Sequence, residues 1–331
     1  MRVKAVPLPP FVRLATAVGV LVLVAVASLA IGARALGPAE VWRGLTDASA
    51  AGATVVRDLR MPRTVLGLLV GVALGLAGAL MQALTRNPLA DPGLLGVNAG
   101  ASAAVVSAIA FLGVTDLSGY VWFAFGGAAL VSVVVYAVAG GRSGSPGSLA
   151  LSGTAVSAAL YAYVAAVQLL DTASLDRMRF WTAGSLAAAR PGTSALIAPF
   201  VLAGVVLAAV LARPLGALAL GDDSARALGA HPGRIRVLAA VSIVLLCGAA
   251  TAACGPIVFL GLMVPHLVRS FTGADVRLLL LYSAILAPAL LLAADVIGRV
   301  VARPGELPVG VVTAVLGGGF FLAIVRKRRA A

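Results

Sequence analysis

The sequence predicts an all-α membrane protein of about ten spanning helices, and three observations point there. Mean hydropathy is +1.07. Charged residues make up 11% of the chain and hydrophobic residues 61%, where soluble domains carry roughly a quarter charged. Long runs of Leu, Val and Ala recur at span length between short polar turns. A span needs about 20 apolar residues to cross about 30 Å of hydrocarbon, so 331 residues leave room for short connections only. Only helices or closed barrels cross lipid, because backbone polar groups find no water there, and unbroken apolar runs select helices. The chain therefore reads as one transmembrane domain over residues 1–331.

The first run, 11–33, follows Arg2, Lys4 and Arg13. Its apolar length exceeds the usual 7–15 residues of a signal peptide, which makes it a retained anchor. The second, 63–84, opens after a basic stretch, and the third, 95–113, after a turn broken by Pro and Gly. Spans at 119–140 and 150–170 flank a Gly- and Ser-rich link, 143–148, where Gly147 permits sharp backbone angles. A sixth span covers 192–213. Residues 214–234 then form the longest inner connection; in it Asp222 or Asp223 can cap a short helix and Gly229 can close it. Gly255-Pro256 divides the seventh and eighth candidates, 235–254 and 255–270, and fits either two spans or one re-entrant, broken helix. Spans at 278–298 and 307–325 complete the set. An even number puts both termini on one side. Of the 25 Lys and Arg, fifteen, among them Arg86, Arg226, Arg236 and Arg326, share the side of the termini. The positive-inside rule makes that side cytoplasmic.

Several classes of function are poorly served. The net charge of +13 is spread singly between apolar runs, whereas a nucleic-acid footprint clusters its basic residues. Cys247 and Cys254 lie within one span and read as small apolar core residues. His266 has no second ligand at metal spacing, so no metal site and no cofactor are expected. Arg86-Asn87-Pro88 and Asp91-Pro92 organise an inner turn by capping and Pro restriction. The lysines, Lys4 and Lys327, lie outside any Gly-x-x-x-x-Gly-Lys context, so an ATP-hydrolysing motor must be a separate chain. No hydrolase motif occurs, and no catalytic residue is assigned. An ion-coupled secondary transporter needs ionisable groups at mid-depth, and Arg13, Asp295 and Arg299 lie towards span ends instead.

The motifs themselves resemble one family. Met81-Gln82-Ala83-Leu84-Thr85-Arg86-Asn87-Pro88-Leu89-Ala90-Asp91-Pro92-Gly93-Leu94-Leu95-Gly96-Val97-Asn98-Ala99-Gly100-Ala101 is similar to the signature of permeases in ABC importers for ferric siderophores, haem and vitamin B12. Leu59-Arg60-Met61-Pro62-Arg63 precedes it. Leu151-Ser152-Gly153, Phe180-Trp181-Thr182-Ala183-Gly184-Ser185-Leu186, the 220–229 loop and Gly255–His266 follow in the family's order. Ala294-Asp295 with Arg299 and Glu306-Leu307-Pro308-Val309-Gly310 come last. One departure is Gly319, where the family usually carries Pro.

The resemblance implies a type II ABC importer permease of the bacterial cytoplasmic membrane, translocating a ferric siderophore by alternating access. Cobalamin or haem is the alternative cargo. It implies two ATP-binding cassette subunits, a second permease chain (an identical copy or a paralogue) and an extracytoplasmic substrate-binding protein as partners. Arg60, Arg63 and Arg299 would receive that protein's carboxylates. Gly221, Asp222, Asp223, Arg226 and Gly229 would form the segment that couples to the ATPase. Ser145, Pro146, Gly147 and Ser148 would belong to the inner gate. No substrate-contacting residue is assigned.

Overall fold

The structure, a computed structural model, describes residues 9–32, 35–50, 52–114, 116–141, 146–187 and 189–329. Among these the regular elements are helices: α1 (Pro10–Ala30), α2 (Pro38–Thr46), α3 (Met61–Thr85), α4 (Val97–Leu112), α5 (Leu117–Val138), α6 (Pro146–Leu170), α7 (Thr172–Thr182), α8 (Thr193–Ala219), α9 (Asp222–Ala227), α10 (Pro232–Cys254), α11 (Leu260–Thr272), α12 (Val276–Val301) and α13 (Val309–Arg329). Each of the ten expected spans has a helix. Seven are long and apolar enough to cross a membrane, α3 being extended backwards by a π-helical turn, Val55–Arg60.

Helix starts follow local chemistry. The Asp116 side chain accepts from Gly119 N–H at the head of α5, and Asp275 accepts from Arg277 and Leu278 N–H at the head of α12, satisfying donors that a first turn leaves orphaned. Proline occupies the first turn of α1, α2, α3 and α10, where its missing N–H costs nothing.

The core is built around α3. In its span window 78% of residues are buried, against 11% in α1, which places α3 at the centre and α1 at the rim. It packs on α12, α10, α8 and α11. Lipid tails are as apolar as leucine, so contact between these helices depends on close packing rather than on hydrophobicity. Glycine supplies the closeness. A Cβ at Gly71 would stand 2.2 Å from Pro288 Cα, and one at Gly78 would stand 1.8 Å from the Gly261 carbonyl oxygen.

Three expectations change. The eighth span is a 13-residue helix, α11, about 20 Å long at 1.5 Å per residue and too short to cross. It follows a non-helical stretch, 255–258, so the Gly255-Pro256 interruption yields a broken segment. Phe259 caps α11 with φ 67, a left-handed conformation uncommon outside glycine, and its ring lies where Gly317 leaves space. Next, residues 146–148, expected within a flexible link, are helical and open α6; Ser145 lies outside the described residues. Finally, α2 and α7 are short helices that hydropathy passes over. α2 is set by Pro38 and by Glu40, whose carboxylate accepts from Gly37 N–H at 2.9 Å. α13 runs unbroken through Gly319.

Candidate functional site

The helices carry polar groups to opposite ends of the bundle. At one end the last turn of α1 leaves carbonyls without intrahelical partners, and arginines from elsewhere supply the donors. Arg60 Nη1 donates to Leu29 O at 2.7 Å and to Ala30 O at 2.8 Å. Arg299 Nη1 donates to Ser28 O at 2.8 Å and Ile31 O at 3.2 Å, and its Nη2 to Ser28 Oγ at 2.8 Å. Arg303 Nη2 reaches Gly32 O at 2.5 Å. Cations here also suit the negative end of the α1 dipole.

Asp295 neutralises this group from within. It is 0% exposed. Arg63 grips it with Nη2 to Oδ1 at 2.8 Å and Nε to Oδ2 at 3.0 Å, a two-pronged geometry suited to a planar guanidinium. Arg299, one turn along α12, pairs with the same carboxylate. Arg63 Nη1 also reaches Glu306 Oε2 at 2.6 Å. Arg60, Arg63 and Arg299 are thus brought together, as their motif implies, and are engaged inside the chain, with Arg60 and Arg299 buried. Asp295 and Glu306 stand in the motifs of the sequence, which assign them no partner. The i,i+4 spacing of Asp295 and Arg299 was the available signal.

Between the two ends, α4, α6, the end of α7, the 255–258 stretch and α13 line an open cavity of about 750 Å³. Its wall mixes Val164, Val258, Val311 and Val315 with Ser102, Tyr161, Gln168 and Thr182, and among the described residues holds no charged side chain. The hydroxyl of Ser102 is buried without a hydrogen-bond partner among the described residues. The adjoining faces are open: Tyr161 and Leu169 of α6 and Val315 of α13 are exposed. Buried Asn98 and Thr251 hydrogen-bond at 2.8 Å in the core, and Cys247 and Cys254 are buried and unpaired. Among the described residues no group of three or more His, Cys, Asp or Glu is placed to hold a metal.

At the opposite end α9 closes as the sequence suggests. Gly229, at φ 78, ends it, with Gly229 N–H bonded to Arg226 O and Ala230 N–H to Ala225 O, each at 2.9 Å, the paired bonds of a Schellman motif. Its start differs from expectation. Gly221 holds the cap position, with no side-chain capping bond. Asp222 turns to Arg86 (3.0 Å) and Arg236 (2.8 Å), while Asp223 pairs with Arg226 at 2.7 Å in solvent. Desolvation pushes the Asp222 carboxyl upward, but Arg236 and then Arg86 outweigh it and hold the group below the usual carboxylate range.

The adjoining 86–96 turn is built by side-chain caps. Arg86 is left-handed, Asn87 Oδ1 accepts from Leu89 N–H at 3.0 Å, and Asp91 Oδ1 accepts from Gly93 N–H at 2.7 Å. His266 Nδ1 meets Pro88 O at 3.3 Å. At the head of α6, Ser148 Oγ donates to Ala139 O at 2.8 Å.

The FecCD transport family matches residues 20–327. The chain is 45% identical over 318 residues to the ferric enterobactin transport system permease protein FepD of Escherichia coli, covering 94% of each protein. It is 42% identical over 289 residues to the iron(3+)-citrate import system permease protein YfmD of Bacillus subtilis, covering 87% of this chain and 85% of that one. Among solved structures, an inward-facing conformation of a metal-chelate type ABC transporter aligns with a TM-score of 0.82 at 28% identity, covering 95% of this chain and 98% of that chain.

Proposed function

This chain belongs to the FecCD transport family, and from that premise we propose that it is the membrane-spanning permease of an ATP-driven importer for ferric siderophores. The observation that carries the cargo is the 45% identity, sustained over 94% of both chains, to a ferric enterobactin permease. A second relative, named for iron citrate, supports the same class of cargo, a chelate that brings its iron already coordinated. The charge-free cavity wall suits such a cargo, because a large chelate held by hydroxyls, an amide and apolar contacts is released without breaking an ion pair.

The domain acts as a single permease in the cytoplasmic membrane, with both termini cytoplasmic. The balance of Lys and Arg supports that orientation. In it the Asp295 cluster faces outward, and α9 and the 86–96 turn face the cytoplasm. Two permease chains face each other across the open sides of α6 and α13 and share one pathway. The outward cluster sets three guanidiniums, of Arg60, Arg63 and Arg299, against two carboxylates. Its net positive field steers the acidic docking groups of a substrate-binding protein, with Arg63 nearest the surface. The segment with Gly221, Asp222, Asp223, Arg226 and Gly229 docks on a separate ATPase subunit, and Pro146, Gly147 and Ser148 lie at the inner gate.

The test is uptake of radiolabelled iron as ferric siderophore, with labelled cobalamin and haem in parallel, in cells with and without this chain. Loss of siderophore iron alone is the expected result. Loss of cobalamin or haem uptake with siderophore uptake intact would overturn the cargo and leave the family untouched.

A further inference from the structure

Asp222 opens α9 yet does not serve it. An aspartate at a helix start ordinarily stays with the orphaned N–H groups and the positive end of the dipole. Here both carboxylate oxygens leave the helix. Oδ1 accepts from Arg86 Nη2 at 3.0 Å and from Arg236 Nη2 at 2.9 Å, and Oδ2 from Arg236 Nη2 at 2.8 Å. One side chain therefore joins α9 to the C-terminal cap of α3 and to the first turns of α10.

Arg86 is a meaningful anchor. Its backbone is left-handed, φ 52 and ψ 28, a conformation unfavourable for a non-glycine residue that persists only where surroundings fix it. From Arg86 the chain continues into the capped turn. Pro88 O there meets the His266 ring of α11, and Gly96 at φ 71 starts α4. Asp222 is thereby tied to α3 and α10 by ion pairs, and through the turn that follows Arg86 to α11 by the Pro88–His266 contact and to α4 by chain connection.

The neighbourhood also leaves room to move. A cavity of about 160 Å³ adjoins the three charged side chains and is lined as well by Thr85, Tyr136 and Leu149. The Tyr136 hydroxyl on its wall is buried with no hydrogen-bond partner among the described residues. Close-packed interiors resist gradual deformation, so a void beside an ion triad is where the side chains can shift as a group. Asp223 and Arg226 differ: their paired side chains are 99% and 61% exposed, available to a partner.

We infer that Asp222 transmits movement of α9 to the membrane helices through Arg86 and Arg236, while Asp223 and Arg226 form the face that meets the ATPase. The inference rests on the proposal that α9 is the ATPase-docking segment.

The experiment uses the complete complex with ATPase subunits and binding protein in liposomes. It reads cargo accumulated per ATP hydrolysed and co-purification of the ATPase. Asp222→Asn lowers cargo per ATP about tenfold, within the range of measured site-to-site couplings, with the ATPase still bound. Arg86→Gln lowers the yield by less, since the Arg236 contact to Asp222 remains, and the double variant loses no more than Asp222→Asn alone, because the Arg86 link runs through Asp222. Asp222→Glu restores most of the yield. Losses that multiply in the double variant overturn the inference, since the two residues then act independently. Departure of the ATPase from the Asp222→Asn complex also overturns it and makes Asp222 a partner contact. Arg86→Gln leaves α9 intact and decides the matter alone if Asp222→Asn does not assemble. Arg226→Glu tests the premise separately: if the ATPase still co-purifies, it is the docking of α9 that fails, whatever Asp222 does.

Discussion

A carboxylate with no exposed surface, Asp295, stands between two guanidiniums, and the balance there is unforgiving. Desolvating charges is expensive, and only excellent geometry and filled hydrogen bonds recover the cost. Both conditions hold at Asp295, whose oxygens face Arg63 and Arg299, while Arg299 spends its other donors on α1. Removing the acid leaves buried cations facing one another. Asp295→Ala is expected to lower stability by about 3–5 kcal/mol, as loss of one member of a buried pair does. Thermal unfolding in detergent measures it; a loss under about 1 kcal/mol, the value of an exposed pair, would mean that solvent reaches the cluster. The arginines here were legible from their motif. The partner of Arg63 was not, because an ion pair between residues 232 positions apart leaves no trace in local sequence.

Among elements, α3 and α11 give the sharpest contrast. The apolar run of α3 was plain from hydropathy, and its glycines at 71, 75 and 78 look like helix-weakening residues until the packing is known. Against α12 and α11 they are points of contact: the Gly78 position leaves no space for a methyl group beside the Gly261 carbonyl. Gly78→Ala is therefore expected to destabilise the protein by about 1–3 kcal/mol, as overpacking does, although alanine favours the helix itself. Gly318→Ala on α13, where nothing lies within 4 Å, is the control. Equal unfolding temperatures for the two variants would refute the close contact. α11 was legible as an apolar segment broken at Gly255-Pro256. Its true length was not, since hydropathy does not distinguish a crossing helix from a non-helical stretch followed by a short helix. Phe259 takes its left-handed conformation from its neighbours, Gly317 included, and not from its own preference.

For the whole molecule, the distribution of exposed apolar surface decides what it assembles with. α6 is long enough to span, yet only 17% of its window is buried. Together with α13 it flanks the uncharged cavity, which makes this side the expected seam between two permeases. Tyr161→Cys should therefore cross-link to a second copy with a short bismaleimide in native membranes, while Val22→Cys on the exposed side of α1 should not. The native thiols, both buried, stay silent. Cross-linking at position 22 with none at position 161 would move the seam to another face.

The sequence by itself determined the membrane class, the order of the spans, the polar turns between them and the motifs of the family. Each is written in local composition, which lipid reads directly: a run long enough and apolar enough must cross, and a turn with Pro, Gly and Asn must break it. The tertiary structure alone decided which arginine meets which acid, that Asp222 faces Arg86 and Arg236 rather than its own helix, and that α3 lies at the centre. Those outcomes depend on contacts between segments far apart in the chain, whose energies come from packing distance and desolvation, and neither quantity exists until the helices are assembled.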